Sequence, residues 1–329
     1  MRSRMHDGMG LEIKEAKTRV ILNFLSNNRQ YLYNRFSYSK KMPQSVIVNE
    51  FIKRLRKKER GKILQLGLFD SDAKIRGAAA VYLSDWDTEH FGLEVGKTDF
   101  LLFDDFVDLE DRLRFLSALS EKLSDLKFRL VLLRHPLNDH KTIIALSRAG
   151  WFLTDVLLTF HTDIEDLILP EFSIDLPIRI REAHEGDAGS IGSLARKSFS
   201  MSHFHSDPNL PNALSSELYV KWSISSLSDP SSKVFVAEDR EGVCGFIVCS
   251  VKSLTKKISY GVIDLIAVDR DRQRLGIGRL LLKEALKRLA SRVSSVYVGT
   301  QAINIPAVRL YESFGFKLVD SEGTFHLWV

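Results

Sequence analysis

The chain has 329 residues, 44% of them hydrophobic, and a formal net charge of +5. That length exceeds one ordinary domain and that apolar content fills two cores, so two globular units are expected. Apolar runs such as residues 156–160 stop far short of the roughly 20 residues a membrane helix needs, and residues 1–10 lack a hydrophobic signal core. The reading is a cytoplasmic protein without membrane association. Cys244 and Cys249 share one alternating apolar stretch and read as core thiols. Two cysteines cannot complete a tetrahedral metal site, so no metal is expected. Positive charge concentrates at Lys53, Arg54, Arg56, Lys57, Lys58 and Arg60, between the apolar Phe51, Ile52 and Leu55. Without interleaved aromatics this reads as a solvated helix face and not a nucleic-acid surface.

In chain order, residues 129–133 predict a strand, 139–149 a helix ended by Gly150, and 152–160 a strand. The stretch 167–177 breaks periodicity with Pro170 and Pro177, which places a boundary near residue 175 and two domains at 1–175 and 176–329. A strand at 178–180 follows, then a helix opened by Glu185, Gly186 and Asp187 that runs to about Phe199. A polar segment spans 200–212. The next helix carries Leu218, Tyr219, Trp222 and Ile224. Residues 233–238 and 243–251 form a hairpin turning at Arg240, Glu241 and Gly242. A strand at 261–268 leads through a glycine turn into a helix with Ile277, Leu281, Leu282, Ala285, Leu286 and Leu289. Residues 295–299 are a strand, 304–314 a helix capped by Asn304 and stopped by Gly315, and 316–328 a strand pair.

The strand, helix, glycine, strand order of 129–160 is echoed by 295–328, which points to an internal duplication. Any α/β unit can end in that order, which is the competing reading. Where the second half has its glycine turn, the first has Asp104, Asp105, Asp108, Glu110 and Asp111, which would repel an anion.

A pyrophosphate needs several donors in a small volume, and backbone amides at a helix start supply them. Gln273, Arg274, Leu275, Gly276, Ile277 and Gly278 fit that need, with Arg272, Arg274 and Arg279 as mobile charge. A dinucleotide fingerprint would require a third glycine where Leu281 stands and an acid where Gly299 stands, and a P-loop would require Gly-Lys-Ser/Thr. Neither is present.

The stretch Ile266-Ala267-Val268, four residues, then Gln273-Arg274-Leu275-Gly276-Ile277-Gly278 resembles the Q/R-x-x-G-x-G/A motif of the GNAT superfamily of acetyl-CoA-dependent N-acyltransferases. The stretch Asn304-Ile305-Pro306-Ala307-Val308-Arg309-Leu310-Tyr311 resembles that superfamily's second cofactor motif, and together the resemblance covers about 178–329. It implies an α/β (α+β) fold with a mixed central sheet splayed between the strands at 261–268 and 295–299, pantetheine filling the gap, and a degenerate GNAT-like first half. It also implies acetyl-CoA as cosubstrate, held by residues 266–268, 273–279 and Asn304. Tyr311 then takes the place of the general acid, against the alternative of a tyrosine packed in the core. Asp264 stands where many relatives carry a base, against a structural aspartate. Within the superfamily the resemblance is to the TDP-fucosamine type of nucleotide amino-sugar acetyltransferase, on Trp86-Asp87-Thr88-Glu89-His90-Phe91-Gly92, on 198–222 and on Thr300-Gln301. It implies a primary amine acceptor on a nucleotide-linked sugar and contacts from His203, His205, Trp222, Trp86 and Phe91; the oligomeric state stays open, a homodimer among the options. Core packing competes for Trp222, a peptide, polyamine or antibiotic amine competes for the acceptor, and a non-catalytic CoA-binding module competes with the enzyme.

Overall fold

A computed structural model describes residues 11–27, 62–171, 177–255 and 258–329. The basic cluster 53–60 lies outside the described residues. The chain divides into two compact units. Among the described residues, the first unit holds 11–27, 62–154 and 322–329, and the second holds 155–171, 177–255 and 258–321. These units are not the two halves of a chain cut at 175. Each takes a strand from sequence that lies beyond the other's last helix.

In the first unit, β1 (Glu12–Glu15), β2 (Ile63–Phe69), β3 (Ile75–Leu83), β4 (Val95–Phe103) and β5 (Leu130–Pro136) pair in that order. Residues 322–328 of the last strand of the chain, β12 (Lys317–Trp328), add to the edge of β5. Among the described residues of this unit, only the β4–β5 pair is parallel. Side chains alternate across the sheet. One face, with Ala78, Ala80 and Phe100, packs on α1 (Thr18–Asn27). The other, with Leu66, Val131 and Phe325, packs on α3 (Leu109–Asp125) and α4 (His140–Arg148). The short α2 (Asp85–Phe91) joins β3 to β4.

The second unit repeats this order. Strands β7 (Arg179–Glu182), β8 (Ser232–Asp239), β9 (Gly242–Ser253), β10 (Ser259–Val268) and β11 (Ser295–Gln301) are followed at the β11 edge by residues 157–163 of β6 (Phe152–Asp163). Again one pair, β10–β11, is parallel. Helices α5 (Ala188–Ser198) and α6 (Asn212–Ser225) lie on one face, and α7 (Ile277–Ala290) and α8 (Ile305–Glu312) on the other. The strand pair expected at 316–328 is one continuous twelve-residue strand. Its polar stretch 320–323, which resembles a turn, runs straight because β5 pairs with it from Glu322 onward.

The repetition extends to single residues. Strands β5 and β11 share one burial pattern, four buried positions, one exposed, one buried and one half-buried. Asp139 caps α4 by accepting from Thr142 N, as Asn304 caps α8 by accepting from Ala307 N. Gly150 and Gly315 follow with φ of 86° and 85°. Strands β6 and β12 both read Leu-x-Asp-x-x-x-Thr-Phe-His, at 153–161 and 318–326. Strands β4 and β10 both read Gly-x-x-Asp, and the ladder slips by one residue at Asp99 and at Asp264 alike.

Because β6 carries Phe160 into the core of the second unit, a fragment of residues 177–329 has lost a fully buried ring and the partner of β11. Co-produced fragments 1–171 and 177–329 are therefore expected to copurify as a folded pair, while each alone shows no cooperative melt. Affinity pull-down and circular dichroism check this, and a cooperative melt of 177–329 alone would refute it.

Candidate functional site

The site of the second unit begins where its parallel ladder stops. Strands β10 and β11 pair only at Gly261–Val296, Val262–Tyr297 and Ile263–Val298. Beyond Ile263, β10 continues on β9 to Val268, and beyond Val298, β11 continues on β6 to Gln301. A wedge therefore opens between residues 264–268 and 299–301, with the bulge at Asp264 as its apex. Peptide groups along both walls lack a partner across the gap, so Ile266, Ala267 and Val268 can meet an extended ligand as a strand would.

The turn after β10 carries this wedge to a helix N-terminus. Arg270–Arg272 form a single 3-10 turn, Arg274 takes a left-handed φ of 63°, and Gly276 one of 85° immediately before α7. The first amides of α7 have no intrahelical acceptor and sit at the positive end of its dipole. At Gly276 the left-handed backbone itself excludes most side chains. Gln273 Nε2 donates to the Val268 carbonyl at 3.3 Å, which ties the turn to the end of the strand. Leu275 is exposed and Ile277 buried in the core under α7.

One expected phosphate contact is otherwise engaged. Arg272 Nε lies 2.9 Å from Asp239 and its NH2 2.7 Å from Glu241, so the guanidinium staples the turn to the β8–β9 hairpin. Arg274 and Arg279 remain the nearby cations. Asn304 accepts from Ala307 N at 3.3 Å as the cap of α8, which leaves its NH2 donors available to a ligand.

Tyr311 projects from α8 into the core beside Phe160 and Phe316, with ring centroids 6.2 and 6.0 Å away. Burial raises its phenol above the ordinary tyrosine range, so it stays protonated throughout neutral pH. Asp264 is also largely enclosed. Burial raises its carboxyl, while the Ser250 hydroxyl and Lys252 pull the other way. Its Oδ2 and the Ser250 Oγ are buried without a well-formed hydrogen bond.

The acceptor residues expected on 200–222 fall on α6 and the turns before it. Both ring nitrogens of His205 face hydroxyls, Nδ1 to Ser202 at 2.7 Å and Nε2 to Ser216 at 3.1 Å, and burial lowers its pKa. This holds His205 as a neutral, fixed imidazole and removes it as a free base. His203 lies against Phe204. Trp222 is 38% exposed beside Tyr219, so it is a surface ring and not the core residue the alternative required. Trp86 and Phe91 belong to the first unit, Trp86 half-exposed and Phe91 buried edge-on to His90. Asp87 of the same helix is held by Ser84 and Lys97. Both cysteines are buried, with the Cys249 thiol pushed up to about 12 by its surroundings, chiefly burial. Among the described residues no group of three or more His, Cys, Asp or Glu side chains is placed to hold a metal, and no helix is long and apolar enough to cross a membrane.

The matching position of the first unit is filled by the protein itself. Its turn is five residues, 104–108, against eight, 269–276. Buried Arg112 donates from Nε to the Val107 carbonyl at 3.1 Å, from NH1 to Asp139 at 3.3 Å and to Thr142, and from NH2 to the Asp104 carbonyl at 3.5 Å. Asp108 takes the Asp111 amide at 2.9 Å. Seven residues after the cap, where the second unit has Tyr311, the first has Leu146.

This wedge and helix-start turn define the GNAT fold, present here with a second, degenerate copy. Residues 195–316 match the model of the Acetyltransferase (GNAT) family. The chain is 29% identical over 144 residues to the spore coat polysaccharide biosynthesis protein SpsD of Bacillus subtilis, covering 44% of this chain and 48% of that protein. It is 28% identical over 174 residues to mycothiol acetyltransferase of Kineococcus radiotolerans, covering 52% and 53%. The chain thus spans about half the length of these curated relatives. Among solved structures, a tandem GNAT protein from the clavulanic acid biosynthesis pathway superposes over 97% of this chain and 98% of its own, with a TM-score of 0.58 at 12% identity.

Sequence reading passed over His161 and Asp163 of the exchanged strand, which pair across the ladder with Tyr297 and Ser295. The repeated Thr-Phe-His of β6 and β12 was the signal that could have found them.

The raised pKa of Asp264 has a thermodynamic sign. A carboxyl whose folded pKa exceeds its unfolded one contributes stability below the unfolded pKa and loses it as pH rises through the folded value. Asp264→Asn, neutral and of the same shape, should raise Tm at pH 8 and leave it unchanged near pH 3. Scanning calorimetry at both values checks this.

Proposed function

We propose that the second unit transfers the acetyl group of acetyl-CoA to the primary amine of a small acceptor, an amino sugar carried on a nucleotide. The observation that carries this reading is the contrast between two copies of one fold. The copy with the left-handed glycine turn also has Tyr311, while the copy whose turn is occupied by Arg112 has Leu146. A phosphate cradle and a proton donor are retained together or lost together, as a shared reaction requires. The sugar acceptor is supported by the likeness to a polysaccharide biosynthesis protein and by the ring faces of Tyr219 and Trp222 on α6.

The residues present fit acetyl-CoA. The open walls of β10 and β11 match the amide groups of pantetheine, and the amides from Leu275 to Gly278 at the α7 start match a pyrophosphate. The thioester supplies an activated acyl carbon. The protein's part is to bring the amine to that carbon, to remove a proton from it, to stabilise the oxyanion and to protect the leaving sulfur. Asp264, at the apex and with its carboxyl pKa raised by burial, accepts the amine's proton directly or through water. Amides of residues 266–268 serve the oxyanion. Tyr311 hydrogen-bonds to sulfur as charge develops and gives its proton as the C–S bond breaks, and the proton that Asp264 took from the amine returns to the phenolate through solvent. The first unit, with its turn filled, binds no acetyl-CoA in this reading.

Incubation with acetyl-CoA and a panel of amines, including TDP- and UDP-linked amino sugars, should release free thiol and add one acetyl group to the acceptor. Absence of thiol release with every amine would sink the proposal. Tyr311→Phe should lower kcat by about 10²–10⁴-fold and leave acetyl-CoA affinity unchanged. The two cradle variants should separate: Gly276→Val weakens acetyl-CoA binding, because a branched side chain is forced to positive φ, whereas Arg272→Ala leaves the acetyl-CoA KM within about threefold, because its partners are Asp239 and Glu241.

A further inference from the structure

Both copies carry an aspartate at the slip of the ladder, so what sets Asp264 apart lies around it. In the second unit the ladder runs Ile263–Cys249 and then Leu265–Val248, which leaves Asp264 as the extra residue of β10. A bulge of this kind re-aims a side chain. Cys249 belongs to the core under α7 and Val248 to the core under α5 and α6, so Ser250 shares the face of Val248. The direct partner of Ser250 on β10 is Val262, and Asp264 is its diagonal neighbour two residues further along.

Ser250 is 2% exposed, and its hydroxyl has few choices. Val262 is apolar. On the other side its ladder partner is Ser232, whose hydroxyl donates to Asp229 Oδ2 at 3.0 Å. That leaves Asp264. Ser250 Oγ and Asp264 Oδ2 are both enclosed without another partner, and the hydroxyl acts on the carboxyl as a donor to its ionised form does.

The first unit supplies the comparison. Its ladder runs Val81–Thr98 and then Ala80–Phe100 around Asp99, so Tyr82 stands for Ser250, Ile63 for Ser232 and Ser84 for Lys252. The hydroxyl of a tyrosine sits a ring's length from its strand, and Ser84 is bonded to Asp87. The copy with Leu146 in place of Tyr311 thus keeps the carboxyl and lacks the small donor beside it.

Resting on the acetyltransfer reading, we propose that Ser250 is a positioning residue for the base: its hydroxyl donates to Asp264 Oδ2, holds the carboxylate ionised in the enclosed apex and leaves Oδ1 to take the proton of the amine. The need is physical. Burial favours the neutral carboxyl, which is a poor proton acceptor, and a hydrogen-bond donor favours the charged form. Ser250 acts through Asp264 and not on the acceptor or on acetyl-CoA. Two charged groups also reach Asp264, Lys252 working with Ser250 and Asp229 against it. The neighbouring Cys249 thiol, pushed up to about 12, stays neutral, and on β11 the Tyr297 phenol flanks Val262.

The test is the pH dependence of kcat with a saturating amino sugar. Ser250→Ala should move the acid limb up by about one pH unit. Its kcat then falls about tenfold on the acid side and meets the wild type on the alkaline side, with the acetyl-CoA KM unchanged. Ser250→Thr, which keeps the hydroxyl on a side chain suited to a strand, should keep the wild-type limb. The proposal is overturned by a limb that stays in place in Ser250→Ala, by one that moves as far in Ser250→Thr, or by an equal loss at every pH. A second readout needs no turnover. In NMR of isotope-labelled aspartate carboxyls, the Asp264 signal, assigned by its absence in Asp264→Asn, should titrate about one unit higher in Ser250→Ala than in the wild type. An equal midpoint overturns the proposal. If the wild type releases no thiol with any amine, acetyltransfer is the reading that fails, and this titration still decides whether Ser250 holds the carboxylate.

Discussion

The second unit depends on a backbone hydrogen-bond ladder that stops after three residue pairs. Parallel strands β10 and β11 are joined at Gly261–Val296, Val262–Tyr297 and Ile263–Val298 and nowhere later. The slip at Asp264 is what turns β10 away. Everything chemical gathers at that opening: the walls, the bulged carboxylate, the turn that begins at Asp269, and the helix that brings Tyr311. Closing the ladder would satisfy more peptide groups and abolish the cleft. The fold accepts that loss because α7 and the turn after α8 clamp the two strands from one face through Leu281, Leu282, Phe314 and Phe316, all buried.

The two copies help to separate structural residues from chemical ones. Both keep a bulged aspartate, Asp99 and Asp264, so the carboxylate at the slip does not by itself mark chemistry. Both keep the capped strand–helix–glycine unit, for reasons of helix termination. The copies differ at Leu146 and Tyr311, at the filled and unfilled turns, and at Leu132 and Tyr297. Arg112 shows how a cofactor turn is retired. Shortening it brings the carbonyls of Asp104 and Val107 inward, and a guanidinium from the following helix satisfies them.

Much of this was legible in the sequence, and for identifiable reasons. Periodicity and caps located β10, α7, β11 and α8, because Gly276, Asn304 and Gly315 each mark a backbone conformation that few other residues support. The glycine turn announced an anion site for the same reason. What periodicity cannot carry is pairing across long separations. Nothing in 152–163 or 317–328 states which β edge each strand will join, so the division at 175 followed chain order while the strands followed a different one. The polar run 320–323 imitated a turn because its strand partner lies nearly two hundred residues earlier. Arg272 was read as mobile because its acidic partners, Asp239 and Glu241, sit on a distant hairpin.

The exchange of β6 and β12 also sets an order of events during synthesis. When the ribosome has finished β5, the edge it presents must wait for residues 322–328, the last strand of the chain. At ordinary translation speeds of about 5–20 residues per second, that edge stands uncovered for roughly ten to forty seconds. An unpaired strand edge is the kind of surface that recruits other chains. The nascent first unit is therefore the vulnerable stage of this protein's synthesis, and the emergence of residues 322–328 is the event that ends it.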